Sequence, residues 1–337
     1  MSVSSTQSSN PFVRAILKLC AAGINLYALM LLVYIIAQTL DVRAVAELGS
    51  NFMPPVLLLA LPLFLVCLLL RRRTQVILLL PVVAYFAIHY GAFFLPRTIT
   101  AAPDAPRLRV LTYNLHGESE LLESIINIIR ESDADIVALQ ELTAPTAERF
   151  AAELSAEYPH QLTFVNGRSI VGQGVLSRYP LSNGDYWEVG LGNMRVEFEW
   201  EGESITLYNL HPPPPSIALG FNATWRSVAI DHLLERLADE NGALILTGDF
   251  NMTAESHDYA RMTQAAALLD AFHEAGVGLG PTFPNLQYGA SFLSYLPPLF
   301  RIDYIFYRQP FHAVEAQTWH TSGSSDHYPV LATLALE

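Results

Sequence analysis

Lysine is almost absent from this sequence. The single one, Lys18, lies near the N-terminus. Past residue 100 the chain carries 12 arginines against 30 acidic residues, a net of −18. Such a field repels polyanions at long range and argues against a chain built around nucleic-acid phosphates. Cysteine is nearly as scarce. Cys20 and Cys67 both fall in apolar stretches, so the polar remainder can form neither a disulfide nor a cysteine-based metal site. There is no glycine-rich phosphate loop and no serine elbow, which removes P-loop and serine-hydrolase chemistry.

Charge of either sign is nearly missing from three apolar runs, residues 19–40, 53–70 and 76–95. They concentrate the apolar excess of a chain that is 51% hydrophobic with a mean hydropathy of +0.28. Each run approaches the ~20 residues that cross a bilayer as a helix, so residues 1–97 are expected to form three transmembrane helices. A cleaved signal peptide, with Ala-Val-Ala at 44–46 as its cleavage site, is the rival for the first run. That run is too long for a signal, and two more follow it. Arg14 and Lys18 precede the first run, and Arg71, Arg72 and Arg73 separate the second from the third. With basic flanks on the cytoplasmic side, the expectation is a multi-pass protein of the cell (inner) membrane whose remaining chain lies outside the cytoplasm. A Pro/Ala linker, residues 98–106, leads to a domain over 107–337.

In that domain "RLRVLTYNL" and "ADIVALQEL" read as strands, and "ELLESIINIIRES" between them has helical spacing. "AERFAAELSAEY" reads as a helix, and strand-like pieces fill residues 161–211. "ATWRSVAIDHLLERLADE" is helical, and a further helix is expected over 257–274. Strands at "RIDYIFY", "AVEAQTW" and "YPVLATLAL" complete the chain. Helices at both ends and hairpins in the middle predict an α/β domain with two packed sheets and helices outside.

Six apolar strands share an ending: Asn114 in "LTYNLHG", Glu141 in "ALQEL", His211 in "LYNLHPPPP", Asp249 and Asn251 in "LTGDFN", Asp303 in "RIDYIF", and Asp326 with His327 in "SSDHYPV". One such residue is ordinarily a turn former or a helix cap. Six segments that all carry Asn, Asp, Glu or His at the strand boundary point to a site, because strand ends collect at one edge of an α/β domain. In "LTGDFN", alternation puts Asp249 and Asn251 on one side and Phe250 on the other. The donors are carboxylates, amides and two histidines, a set that suits Mg²⁺ or Mn²⁺ with a phosphate and suits zinc poorly. A hard cation, a carboxylate to position water and a histidine for developing charge describe phosphate-ester hydrolysis.

These segments, in this order, resemble the endonuclease/exonuclease/phosphatase superfamily, the DNase I-like fold, over roughly residues 107–337. The resemblance implies a four-layer α/β/β/α sandwich. It implies Glu141 as main metal ligand, Asn114 at the metal or phosphate, and Asp326 as a second metal-site carboxylate. It further implies His211 on the phosphate, Asp249 orienting or deprotonating the attacking water, Asn251 steadying phosphoryl oxygens, and Asp303 orienting His327 at the scissile phosphate. The prolines after His211 depart from the family pattern and stiffen that loop. Arg226, on the following helix, is either a phosphate clamp or a surface arginine. His116 is a neighbour rather than a ligand, and the "NMT" sequon at Asn251 is better explained by catalysis.

The favoured reading is a membrane-anchored, Mg²⁺- or Mn²⁺-dependent phosphodiesterase or phosphatase. Its substrate is a phosphoric ester, with a lipid headgroup favoured by the anchor and nucleic acid disfavoured by the charge. An extracytoplasmic nuclease ranks second, and a catalytically dead membrane scaffold third.

Overall fold

The computed structural model describes residues 10–40, 42, 53–95, 97, 101–102, 104–117, 122–216, 222–286 and 296–336. The chain divides into two compact units, Met1–Ala92 and Phe93–Glu337. The linker expected at 98–106 lies partly outside the described residues.

In the first unit, helix α1 (Pro11–Thr39) opens on Asn10, whose side chain accepts from the Phe12 N–H, with proline at the first helical position. The second apolar run forms α2 (Met53–Leu58) and α3 (Ala60–Leu69), joined through Leu59, whose backbone stays helical at φ −62° and ψ −23°. Pro62 loosens the join, because it has no N–H to donate to the Leu58 carbonyl one turn back. α4 (Arg73–Tyr90) runs into a 3₁₀ turn, Gly91–Phe94. Among the described residues, two helices are long and apolar enough to cross a membrane, Pro11–Thr39 and Arg73–Phe94, where three were expected. The shorter stretch, Met53–Leu69, would reach only about 25 Å even as an unbroken helix at ~1.5 Å per residue. The Gln75 amide donates to Asn25 at 2.8 Å and links α4 to α1, as polar side chains in apolar helices tend to pair.

In the second unit the described residues form two six-stranded mixed sheets. The first contains β1 (Arg107–Asn114), β2 (Ile136–Gln140), β3 (His160–Phe164), β4 (Gln173–Ser177), β11 (Phe311–Thr318) and β12 (Val330–Leu336), in the order β11-β12-β1-β2-β4-β3. The second contains β5 (Leu181–Val189), β6 (Leu191–Trp200), β7 (Glu203–Leu210), β8 (Ala243–Asp249), β9 (Leu269–Asp270) and β10 (Asp303–Tyr307), in the order β5-β6-β7-β8-β10-β9. Each sheet has one parallel pair, β1 with β2 and β7 with β8. The sandwich expected from the sequence is the one observed.

Strand alternation sorts the side chains into three cores. Leu108, Val110 and Ile136 of the first sheet meet Ile205, Leu207, Ile245 and Ile305 of the second between the sheets. Leu111, Tyr113, Val137 and Leu139 face outward to Ile125, Ile129 and Phe150. Those residues belong to α5 (Leu122–Ser132) and α6 (Ala144–Glu153). Tyr208, Leu244, Leu246 and Phe306 face Ile230, Leu233 and Met262, on α7 (Thr224–Leu237) and α8 (His257–Ala265). The single helix expected over 257–274 is interrupted. Ala267 turns left-handed at φ 51°, β9 follows, and Asp270 then caps α9 (Ala271–Ala275).

β7 and β8 approach closely where Leu210 pairs with Gly248. A Cβ at Gly248 would lie 1.9 Å from the Leu210 carbonyl oxygen, at a φ of 144°. Gly248→Ala is therefore expected to cost about 3 kcal/mol or more through overlap and backbone strain. A thermal or denaturant melt of the purified protein checks this. A wild-type midpoint would mean that β7 yields at no cost.

Candidate active site

The alternation that builds the inter-sheet core also aims the polar strand ends. Asn114 continues the inward series of Leu108 and Val110, and Asp249 continues that of Ile245. The two meet across the sandwich, with Asn114 Nδ2 donating to Asp249 Oδ2 at 3.0 Å. Asp303 opens its strand rather than ending one. It reaches the cluster because β10 runs antiparallel to β8 and pairs Asp303 with Asp249. Glu141 lies just past β2 with a left-handed φ of 54°. It sits where Asn114 Nδ2 can also donate to its Oε1, at 3.2 Å.

The two histidines are inserted among these carboxylates. His211 is buried, with Nε2 3.5 Å from Asp249 Oδ2 and 3.8 Å from Glu141 Oε1. His327 Nδ1 is 2.9 Å from Asp303 Oδ2, and its Nε2 is 3.6 Å from Asp249 Oδ2. Burial lowers the pKa of His327, but the charges of Asp303 and Asp249 outweigh it and raise the value to about 10. Burial raises the pKa of Asp249, yet His327 and His211 bring it below the usual aspartate value. The cluster thus favours an ionised Asp249 beside a protonated His327. Asn251 N–H donates to Asp249 Oδ1 at 2.9 Å, and Asn251 Nδ2 lies 3.4 Å from Asp249 Oδ2. Phe250 points the opposite way, into the helix-facing core.

The oxygen donors fit a hard divalent cation. One Asn114 amide nitrogen serves both Glu141 and Asp249, so two carboxylates converge there. Asp326 Oδ1 is buried without a hydrogen-bond partner, 3.2 Å from His116 Nδ1. Among the described residues, Asp249, Asp303 and His327 bring ligand atoms within 4.8 Å of one another. His327 Nδ1 is already paired with Asp303, so this trio reads more naturally as an ion pair beside Asp249 than as a metal seat. The amide oxygen of Asn114 accepts from the His116 N–H at 2.9 Å, while its nitrogen bridges the two carboxylates.

A family profile described as Endonuclease/Exonuclease/phosphatase family matches residues 111–327. The chain belongs to this family. Members of the endonuclease/exonuclease/phosphatase family are in general divalent-metal-dependent phosphoric ester hydrolases. Among solved structures, the family protein from Bacteroides vulgatus is 18% identical with a TM-score of 0.56, over 69% of this chain and 100% of that one. The one from Bacteroides thetaiotaomicron is 17% identical with a TM-score of 0.54, over 70% and 97%. TDP2 from D. rerio, complexed with single strand DNA product, is 15% identical with a TM-score of 0.56, over 68% and 98%. At these identities the likeness is one of fold. No curated protein matches the chain.

In this family member Arg226 is set apart from the cluster. Its guanidinium is buried, donating from Nε to Asp258 at 2.9 Å and from NH1 to the Asn251 carbonyl at 2.7 Å. Asp258 also accepts from Ser227 and Arg261. These contacts hold the left-handed turn at Asn251, whose φ is 50°. Sequence reading also passed over an amide seam beneath the site. Gln140 donates to Asn209 Oδ1 at 2.6 Å, tying β2 to β7 across the sandwich, and Asn209 donates to the Leu139 and Gly174 carbonyls. Asn193 accepts from the His211 N–H at 3.2 Å. The available signal was inward parity: Gln140 and Asn209 occupy core-facing positions of their strands, where a lone amide needs a partner.

Proposed function

We propose that this protein is a membrane-anchored phosphodiesterase or phosphatase that uses Mg²⁺ or Mn²⁺ to drive attack of water on phosphorus. The observation that carries the reading is the bridge of Asn114 between Glu141 and Asp249, beside the His327–Asp303 pair. Glu141 and Asp326, with Asn114 alongside, would hold the ion. When bound, it would offset charge on the phosphoryl oxygens and make water more acidic. Asp249, kept ionised, takes the proton of the attacking water. Asn251 and His211 donate hydrogen bonds to phosphoryl oxygens. His327, oriented by Asp303, donates to the scissile group and passes its proton to the departing oxygen as the ester bond breaks. Arg226 supports Asn251 from behind; a direct phosphate contact would require it to leave Asp258.

The substrate is proposed to be a small or membrane-presented phosphoric ester, such as a lipid headgroup. A nuclease is the second reading, favoured by the D. rerio relative complexed with single strand DNA product. The net of −18 past residue 100 opposes it, because duplex binding rests on cations that neutralise phosphates. The test is a panel of bis(4-nitrophenyl) phosphate, choline and ethanolamine phospholipids, and plasmid DNA, with Mg²⁺ or Mn²⁺ and with chelator. Chelator-sensitive ester hydrolysis that outpaces DNA cleavage is expected. Efficient DNA cleavage alone would promote the nuclease, and no turnover at all would promote the scaffold.

For the anchor, Arg14 and Lys18 lie in the first turns of α1, while Arg71 and Arg72 precede α4 and Arg73 opens it. Both basic groups can face the cytoplasm only if Met53–Leu69 crosses as well, despite its shorter length. That arrangement is proposed, and it leaves the second unit outside. A phosphatase reporter fused after Glu337 is expected to be active outside the cytoplasm. Cytoplasmic activity of a C-terminal fusion would mean that Met53–Leu69 does not cross.

A further inference from the structure

Single exposed apolar side chains are ordinary on a folded domain, but neighbouring ones mark a contact surface. The second unit has such a group where the chain enters it. Phe93 and Phe94 end the helical stretch Arg73–Phe94, which is long and apolar enough to cross a membrane, yet both belong to the second unit. Phe94 is 46% exposed and Leu95 62%. Val277, from the loop after α9, joins them and is 65% exposed. The join runs through its neighbour Gly278, whose N–H donates to the Phe93 carbonyl at 2.7 Å. A Cβ at Gly278 would lie 3.9 Å from Phe94 Cε1, so this loop and the Phe94 ring are in contact range.

The group is held firmly from behind. The Phe93 ring meets His273 of α9 edge-on, with centroids 5.1 Å apart, and the Arg97 guanidinium lies 5.7 Å from the Phe93 centroid. The loop that carries Val277 then leads directly to the candidate active site. Thr318 Oγ1 donates to the Gly280 carbonyl at 3.1 Å, and the Thr282 N–H donates to the Phe300 carbonyl at 2.7 Å. Thr282 Oγ1 accepts from the Asp303 N–H at 3.3 Å, and the Phe283 ring lies 4.8 Å from that of His327. Val277 and Thr282 are joined by so short a piece of chain that they stand at most ~18 Å apart.

We propose that Phe94, Leu95 and Val277 form a foot that seats the catalytic domain on the lipid surface. Lipid is the occupant because the foot begins at the last residue of the apolar span: Leu95 follows Phe94 in the chain. A chain leaving the bilayer there brings the foot to the boundary of headgroups and acyl chains, where apolar faces bury ~5–10 Å deep. Arg97 supplies a cation at the same place, which suits lipid phosphates. The proposal rests on the anchor reading above. It goes beyond that reading by fixing which side of the domain faces the bilayer, and the short pinned loop from Val277 to Thr282 then keeps Asp303 and His327 close to the headgroups.

The test places a polarity-sensitive nitrobenzoxadiazole probe at single cysteines of the full chain, in a Cys20→Ser/Cys67→Ala background, in phosphatidylcholine nanodiscs. The probe is attached at Val277→Cys, at Ile88→Cys on the outside of α4, and at Ser182→Cys. Ser182 is exposed on β5, at the opposite edge of the second sheet from β9. The Val277 probe is expected to emit to the blue of the Ser182 probe. It should also lose most of its emission when the discs contain a lipid with a nitroxide headgroup, while the Ser182 probe loses little. Leu95→Cys serves in its place if Val277→Cys misfolds. A Val277 probe that behaves like the Ser182 probe, while the Ile88 probe is shifted and is quenched by acyl-chain nitroxide, overturns the foot and leaves the anchor standing. A blue-shifted Val277 probe that neither nitroxide quenches is covered by protein, such as a second copy of the chain, and also overturns it. An Ile88 probe that emits as in water and resists both nitroxides overturns the anchor reading, and the proposal with it.

Discussion

Glu141→Gln should lower metal-dependent ester hydrolysis by roughly 10²-fold or more, the scale expected when a metal ligand is lost rather than merely reoriented. The substitution is close to isosteric, and its amide oxygen can still accept from Asn114 Nδ2, now at 3.2 Å from Glu141 Oε1. What it removes is charge. The left-handed backbone at Glu141 places that charge at the site edge rather than among the helices, and no other side chain on this strand end replaces it. Part of the loss should therefore return at high Mg²⁺ or Mn²⁺, as weakened binding is driven by mass action. The measurement is initial rate against metal concentration for both proteins. A variant with the wild-type rate and metal dependence would remove Glu141 from the metal site.

The second large effect is expected at Asp249. Asp249→Asn should cut turnover by about 10²–10⁴, the contribution of a positioned base. Its two oxygens sit among donors: the Asn251 N–H, Asn114 Nδ2, and the Nε2 atoms of His211 and His327. A carboxylate can accept from all of them. An amide offers one accepting oxygen, so its NH₂ group must face another donor. The substitution therefore removes the base and misaligns the partners that orient it. His327→Ala should fall in the same range, and the double variant should lose less than the product of the two, because the residues act on one proton path. Single-turnover rates on the best ester of the panel decide this. Either single variant within a few-fold of wild type would refute that residue's role.

The part of the site that follows strand alternation was legible in the sequence. "LTGDFN" states by its period alone that Asp249 and Asn251 share a side and Phe250 takes the other, and the hydrogen bonds and the core agree. Other features have no local signature. Asp303 enters the site from the start of its strand, a matter of antiparallel pairing with β8. The stop of α8 uses Ala267 in a left-handed conformation, where glycine or asparagine would have announced it. Arg226 reads as either a phosphate clamp or a surface arginine until the fold brings Asp258 and the Asn251 carbonyl to it. The apolar run at 53–70 has the composition of a span, yet its helical stretch, Met53–Leu69, is shorter than the other two.

Inward parity also sets which changes in length the protein can absorb. Deleting one residue within β8 would send Asp249 toward the α7 and α8 side and bring Phe250 between the sheets, since a strand repeats every two residues. The same exchange would follow in β1 or β7, with Asn114 or His211 turned away. Loops impose no such arithmetic. Insertions and deletions should therefore be accepted between strands and refused within them. This fits relatives at 15–18% identity that keep a common fold over 68–70% of this chain. Strand length, counted in single residues, is a heritable trait of this site in its own right.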